Sequence, residues 1–198
     1  LKNLIKELLQ KFGKTHSSPK SFNNQLGVPI SLSNLEASTE YGVFEVGMSK
    51  SGEIKNLSKL IQPHVGVITN IGEAHIENFR NIKGIADAKG EIIDNIKKNG
   101  TIILNHDDKF FSFLAKKAKL KKIKIVSFGK TNKSDIYPIR TITNKNFIKI
   151  TIKVKDQILD LEVKNINIYN VLAALAVLKE LNLNLDNIIK NFKNNEPT

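Results

Sequence analysis

Cysteine and tryptophan are absent from the 198-residue sequence, and methionine occurs once. Without thiols there is no disulfide framework and no cysteine-based zinc or iron–sulfur site. A reducing compartment fits that absence. Arginine is almost missing as well: Arg80 and Arg140 are the two, so 29 of the 31 basic residues are lysines. This scarcity decides how the formal charge of +12 is read. A nucleic-acid surface concentrates arginine and aromatics along one stripe. Here lysine is spread over the whole chain and aromatics make up 7%. The charge is therefore a solvated, mildly anion-attracting surface, and no nucleic-acid partner is expected. No apolar run approaches the roughly 20 residues that span a bilayer, and nothing resembles a signal peptide. No membrane insertion is expected, and the cytoplasm is the expected location. The first residue is Leu1, not Met, which is expected of a fragment of a longer chain.

Hydrophobic residues make up 40%, enough for the core of one domain. Leu1, Leu4, Ile5, Leu8, Leu9 and Phe12 recur at helical spacing, which predicts a helix over 1–12 with Gly13 as its C-terminal cap. A polar stretch over 14–24 and a loop through Gly27 and Pro29 follow. Residues 41–48 (YGVFEVGM) and 65–69 (VGVIT) read as buried strands, with a short helix over 54–61 between them. Further on, 85–96 reads as a helix, 101–104 as a strand, 109–118 as a helix and 123–128 as a strand. This alternation predicts an α/β fold, a mostly parallel sheet flanked by helices. Residues 135–141, 147–154 and 158–163 then alternate with period two, a small antiparallel β meander appended to that sheet. Residues 168–181 are strongly helical, 185–192 suit a last short helix, and the tail NNEPT marks a boundary.

Gly13-Lys14-Thr15 imitates the end of a phosphate-binding loop. The full motif needs a glycine where Leu8 stands, a strand before it and a helix after it. It is rejected as a nucleotide site.

Three polar segments fall at expected ends of parallel strands, where open α/β sheets bind ligands. Glu45 interrupts an apolar strand, which is costly unless the acid is paired, metal-bound or at an exposed edge. His75 follows a strand with Glu73 and Glu77 beside it; alone, it reads as an exposed loop histidine. Lys89 lies on the next helix and means little by itself among 29 lysines. Together, Glu45 and His75 could approach one divalent cation from adjacent strand ends, with phosphates completing its shell.

Six segments in order carry a family resemblance: SPKSFNNQLGVPISL (18–32), EVGMSKSGEI (45–54), TNIGEAHIENF (69–79), GIADAKGEI (84–92), ILNHDD (103–108) and NIYNVLAALAV (167–177). The series resembles the central, ATP-binding domain of the Mur ligases over nearly the whole chain. Its Gly-Met-Ser…Gly-Glu-Ile form points to the branch that adds D-alanyl-D-alanine. The resemblance implies a P-loop NTPase-like central domain over 1–195, truncated at its N-terminus, with 196–198 opening a linker. It implies ATP and two magnesium sites, with Glu45 and His75 as ligands and a carbamylated Lys89 bridging one of them. It places Asn167 and Asn170 against adenine, and Asn105 and Asp107 near the nucleotide. It turns Asn23 and Asn24 toward a UDP-N-acetylmuramoyl tripeptide. D-Alanyl-D-alanine is the expected second substrate, an acyl phosphate the expected intermediate, and a monomer the expected state. Lys164 and Ile166 stand where the family usually has Gly and His. The family's P-loop is expected just upstream of Leu1, so these residues alone are expected neither to bind ATP tightly nor to ligate. The competing expectations are a different Mur or folylpolyglutamate synthase-type ligase, and a non-catalytic basic binding domain with the same fold.

Overall fold

The computed structural model describes residues 1–73, 76–144, 147–164 and 166–189. Helix α1 (Lys2–Leu9) leads through a turn to strand β1 (Thr15–Ser17), helix α2 (Gly27–Ser33) and strand β2 (Tyr41–Val43). Helix α3 (Glu53–Ile61) precedes β3 (Val65–Ile68); α4 (Ile82–Gly90), extended by a 3₁₀ turn over Glu91–Asn95, precedes β4 (Thr101–Asn105). Helix α5 (Phe111–Leu120) leads to β5 (Lys124–Phe128). Three longer strands follow, β6 (Ile136–Thr143), β7 (Ile148–Val154) and β8 (Gln157–Val163), then α6 (Ile168–Glu180) and α7 (Asp186–Ile189).

The strands form two sheets. One is the parallel pair β1–β2; the other has the order β3-β4-β5-β6-β7-β8. β3, β4 and β5 are parallel, β6 joins β5 through the single pair Phe128↔Ile136, and β6, β7 and β8 are antiparallel. The predicted α/β architecture with an appended meander is the one observed.

β4 shows why the parallel strands read as unbroken apolar runs. Its residues Thr101–Leu104 are all buried, with Ile103 in one core and Ile102 and Leu104 in the other. The first core lies under α1 and α6; the second lies under α4 and α5. Every residue of α6 from Val171 to Leu178 is buried, the signature of a helix packed on all sides. Its C-terminal end is fixed by Glu180, which accepts hydrogen bonds from Lys124 (2.7 Å), Lys155 (2.6 Å) and Thr101 (2.8 Å).

Three expectations are corrected. The chain around Gly27 and Pro29 is helix α2, not a loop. Pro29 sits in the first turn, where a missing N–H costs nothing, and the Asn24 side chain accepts the amides of Leu26 and Gly27 at 3.1 and 2.9 Å. Gly13 does not cap α1. The cap is Gln10 in right-handed helical geometry, and Gly13 lies three residues beyond it, against the Glu40 carboxylate. The run 41–48 is not a buried strand: β2 covers Tyr41–Val43, its residues are half-buried or exposed, and Glu45 is exposed. Its hydrophobic side chains have a strand partner on one edge alone among the described residues. The setting of Gly13-Lys14-Thr15 agrees with its rejection: it follows a helix and enters β1, the reverse of a phosphate loop's setting. Residues 190–192 of the predicted last helix, and the NNEPT tail, lie outside the described residues.

Candidate functional site

β2 and β3, joined through α3, lie in different sheets and do not pair. β2 bonds to β1 and β3 bonds to β4, so each turns its other edge toward the space between them. That space is a cavity of about 920 Å³, walled by residues 41–48 on one side and 65–70 on the other. Ile5 and Leu9 of α1 and Val177 of α6 close one face; Ile54 and Ile61 of α3 and Ile92 close the opposite face. Apolar layers above and below and an open strand edge on each flank are the surroundings of an interior strand. Unpaired backbone groups at such a depth call for hydrogen-bonding partners.

Polar groups line the cavity near both ends of the strands: Glu40 and His64 precede β2 and β3, and a second set follows them. Glu45, Asn70, Lys89 and Asn170 all line it. They come from the chain after β2, the loop after β3, helix α4 and the first turn of α6. Glu45 is an acid at an exposed edge. Its Oε1 accepts from Asn23 Nδ2 at 3.0 Å, and its backbone N–H donates to Ser18 Oγ at 3.3 Å. Asn23 also accepts the Gly47 amide at 2.7 Å through its carbonyl, so it aims the acid and the turn after it. That turn is shaped by two more glutamates. Glu53 accepts the amides of Ser49 and Lys50, and Glu91 accepts those of Gly52 and Lys55. Gly52 has φ +88°, a conformation suited to glycine. The Ser49 amide is the chief cause holding the Glu53 carboxyl below its ordinary range.

Lys89 is half-buried, and its Nζ donates to the Asn70 carbonyl at 2.9 Å. Burial pushes its amine below the ordinary lysine value, and the charge of Asp108 offsets part of that effect. A lysine so placed is more readily neutral, and therefore more readily nucleophilic, than one on the surface. His75 lies outside the described residues; the loop leading to it is described as far as Glu73. Among the described residues, no group of three or more His, Cys, Asp or Glu side chains could hold a metal unaided. Magnesium commonly takes one or two protein carboxylates and completes its shell with waters and substrate phosphates, and the donor set fits that pattern.

The other sequence-derived candidates are placed differently. Asn24 caps α2 and Asn167 caps α6, accepting the Tyr169 amide at 2.9 Å. Asn105 donates to the Thr69 carbonyl at 3.0 Å and accepts the Asp107 amide at 3.0 Å. Asp107 accepts the Lys130 amide at 2.7 Å and the Tyr169 hydroxyl at 3.1 Å. None of Asn23, Asn24, Asn105, Asp107 or Asn167 lines the cavity. Sequence reasoning missed Ser18, Glu91, Asp108 and Tyr169. Tyr169 sits under the Lys130 ammonium, 4.9 Å from its ring centre, and burial raises its hydroxyl above the usual tyrosine value, aided by Asp107. Asp108 and Tyr169 each lay inside a quoted motif, beside residues of more familiar chemistry.

Comparison with known proteins follows the same lines. The family described as Mur ligase middle domain matches residues 1–178. The UDP-N-acetylmuramoyl-tripeptide–D-alanyl-D-alanine ligase of Buchnera aphidicola subsp. Acyrthosiphon pisum is 37% identical over 137 residues, 69% of this chain and 30% of that protein. The same-named ligase of Buchnera aphidicola subsp. Baizongia pistaciae is 31% identical over 193 residues, 96% of this chain and 41% of that one. Among solved structures, MurF from Acinetobacter baumannii superposes with a TM-score of 0.90 at 29% identity, covering 100% of this chain and 44% of its own. MurF ligase from Thermotoga maritima in complex with ADP gives 0.86 at 24% identity, covering 100% of this chain and 46% of its own, and speaks to the fold alone. The chain thus spans less than half the length of each of these relatives.

Proposed function

This chain belongs to the Mur ligase middle-domain family, and from that premise we propose that it is the ATP-handling part of a ligase joining D-alanyl-D-alanine to a UDP-N-acetylmuramoyl tripeptide. One observation carries the reading. Glu45, Lys89 and Asn170, from three separate stretches of sequence, line one cavity at the C-terminal ends of parallel strands. Such strand ends are where open α/β sheets bind their ligands. The relatives bearing this enzyme's name supply the substrates. The cytoplasm is the proposed location; no described helix is long and apolar enough to cross a membrane. A monomer is the proposed state.

In the proposed reaction, the γ-phosphoryl group of ATP passes to the terminal carboxylate of the tripeptide, leaving ADP and an acyl phosphate. The amine of D-alanyl-D-alanine attacks the acyl carbon, the C–O bond to phosphate breaks, and the amine proton leaves to solvent. Nothing in this sequence needs a protein nucleophile; the protein positions charged groups and excludes water. Glu45 and His75, with Lys89 as its carbamate, would hold magnesium, which when bound neutralises phosphate charge. Lys89 reaches that state when its neutral amine adds to CO₂ and loses a proton, turning a cation into an anionic oxygen donor. Its lowered pKa favours this chemistry. Asn170 faces the cavity from the helix that the family places beside adenine.

The cavity between β2 and β3 fits the same reading. We take it as the seat of a parallel strand preceding α1, with the family's phosphate loop joining the two. The start of α1 lies at the strand ends, where Lys2 Nζ donates to the carbonyls of Ser18 (2.6 Å) and Lys20. A strand filling the cavity would finish at that edge. The test of function is phosphate release from ATP by the full-length protein. Release should require both the tripeptide and D-alanyl-D-alanine. It should fall at least a hundredfold in Lys89→Ala and recover in part with added short carboxylates. Release with a different amine would change the assigned branch, and no release with any amine would overturn the ligase reading.

A further inference from the structure

Three successive residues after β3 each have one backbone group held by a side chain. The Thr69 carbonyl accepts from Asn105 Nδ2 at 3.0 Å, the Asn70 carbonyl from Lys89 Nζ at 2.9 Å, and the Ile71 amide donates to Asp108 Oδ2 at 2.6 Å. Backbone fixed at three consecutive positions cannot shift by a residue without breaking all three bonds. Two of the three side chains come from a single turn, residues 105–108 at the end of β4. The second oxygen of Asp108 accepts the Phe110 amide at 2.8 Å, which orients the carboxylate before it reaches Ile71. Ile71 itself is buried in the core under α4 and α5, so the bond joins a fixed acid to a fixed loop.

The same turn reaches in the other direction. Asp107 accepts from the Lys130 amide and the Tyr169 hydroxyl, and Tyr169 is the residue before Asn170. The polar side chains Asn105, Asp107 and Asp108 therefore tie the β3 loop, the turn after β5 and the start of α6 to one point.

We propose that Asn105 and Asp108 are positioning residues: they set the backbone after β3, and through the Asn70 carbonyl the placement of Lys89, which would hold magnesium as its carbamate. This rests on the reading of Glu45, His75 and Lys89 given above. A carboxylate is required at 108 because both groups facing it are N–H donors. Asparagine offers one acceptor oxygen and one NH₂, so one of the two amides would face a donor.

The test uses Asp108→Asn in the full-length protein with two readouts. The first is hydrogen exchange at the Ile71 amide, expected to quicken at least tenfold. The second is the magnesium concentration for half-maximal phosphate release, expected to rise at least fivefold while the KM for the muramoyl tripeptide stays within twofold. Asn105→Ala should move both readouts in the same direction and carries the test if Asp108→Asn does not fold. Faster exchange with unchanged magnesium dependence would overturn the positioning role and leave a purely structural bond. Unchanged exchange in both variants would overturn the proposal outright. A wild-type protein without turnover would instead overturn the ligase reading. Ile71 exchange would then decide the loop clamp, and half-saturation by Mn²⁺, read by water-proton relaxation, would decide the metal placement in place of turnover.

Discussion

Lys89 gathers the residue-scale chemistry. Its amine is pushed below the ordinary value of 10.5 chiefly by burial. In the unfolded chain the same amine titrates near that ordinary value. Between the two values the unfolded state holds a proton the native state has lost, so stability rises with pH across that window. Urea unfolding of wild type and Lys89→Met should therefore show wild type gaining on the variant as pH climbs from neutrality toward 10.5. A difference that stays flat would remove the case for an easily neutralised amine. Glu180 runs the opposite way. Burial pushes its carboxyl up, but the bonds from Lys124, Lys155 and Thr101 outweigh burial and hold it below its ordinary 4.5. A carboxyl with a depressed folded pKa contributes stability above the ordinary value, and that stability is lost as pH falls through the folded one. Glu180→Gln should cost about 2 kcal/mol at neutral pH, by the scale of hydrogen bonds to charged groups. The variant should also show a shallower acid limb in a pH series of melting temperatures.

At the scale of elements, local chemistry explains which parts of the fold were legible. Helix α6 and the strands β6 to β8 were read close to their observed bounds: in β7 and β8 period-two alternation leaves one choice of buried face, and in α6 the unbroken apolar run is too long for a strand. Helix α2 was read as a loop because Gly27 and Pro29 usually interrupt helices, whereas a first-turn proline and an asparagine cap reverse that reading. Asn24→Ala should cost about 1 kcal/mol of stability, measurable as a shifted denaturant midpoint with an unchanged slope. β2 was overextended because the burial of an apolar run depends on a neighbouring strand, which no local pattern reports. Glu45 and Lys89, singled out through their motifs, both line the cavity. The duties of Asn105, Asp107 and Asp108 were not legible, since most of their partners are backbone groups such as Thr69 C=O, Ile71 N–H and Lys130 N–H. Backbone partners leave no trace in residue identity.

Among the described residues, two sheets face one cavity, and Glu45, Lys89 and Asn170 are among the residues that line it. A strand seated between β2 and β3 would satisfy both open edges and bury the half-buried Val43, Val67 and Ile92 more fully. A longer chain reaching upstream of Leu1 should therefore unfold with a larger denaturant slope and at a higher temperature than these 198 residues. Equal slopes would place the upstream segment elsewhere. The most direct measurement of the central claim is the mass of the product. The full-length protein would be given ATP, UDP-N-acetylmuramoyl tripeptide and an equimolar mixture of D-alanyl-D-alanine with single amino acids. A single product heavier by one D-alanyl-D-alanine less water, absent in Lys89→Ala, is the predicted result. A product carrying a single amino acid, or no product at all, would contradict it.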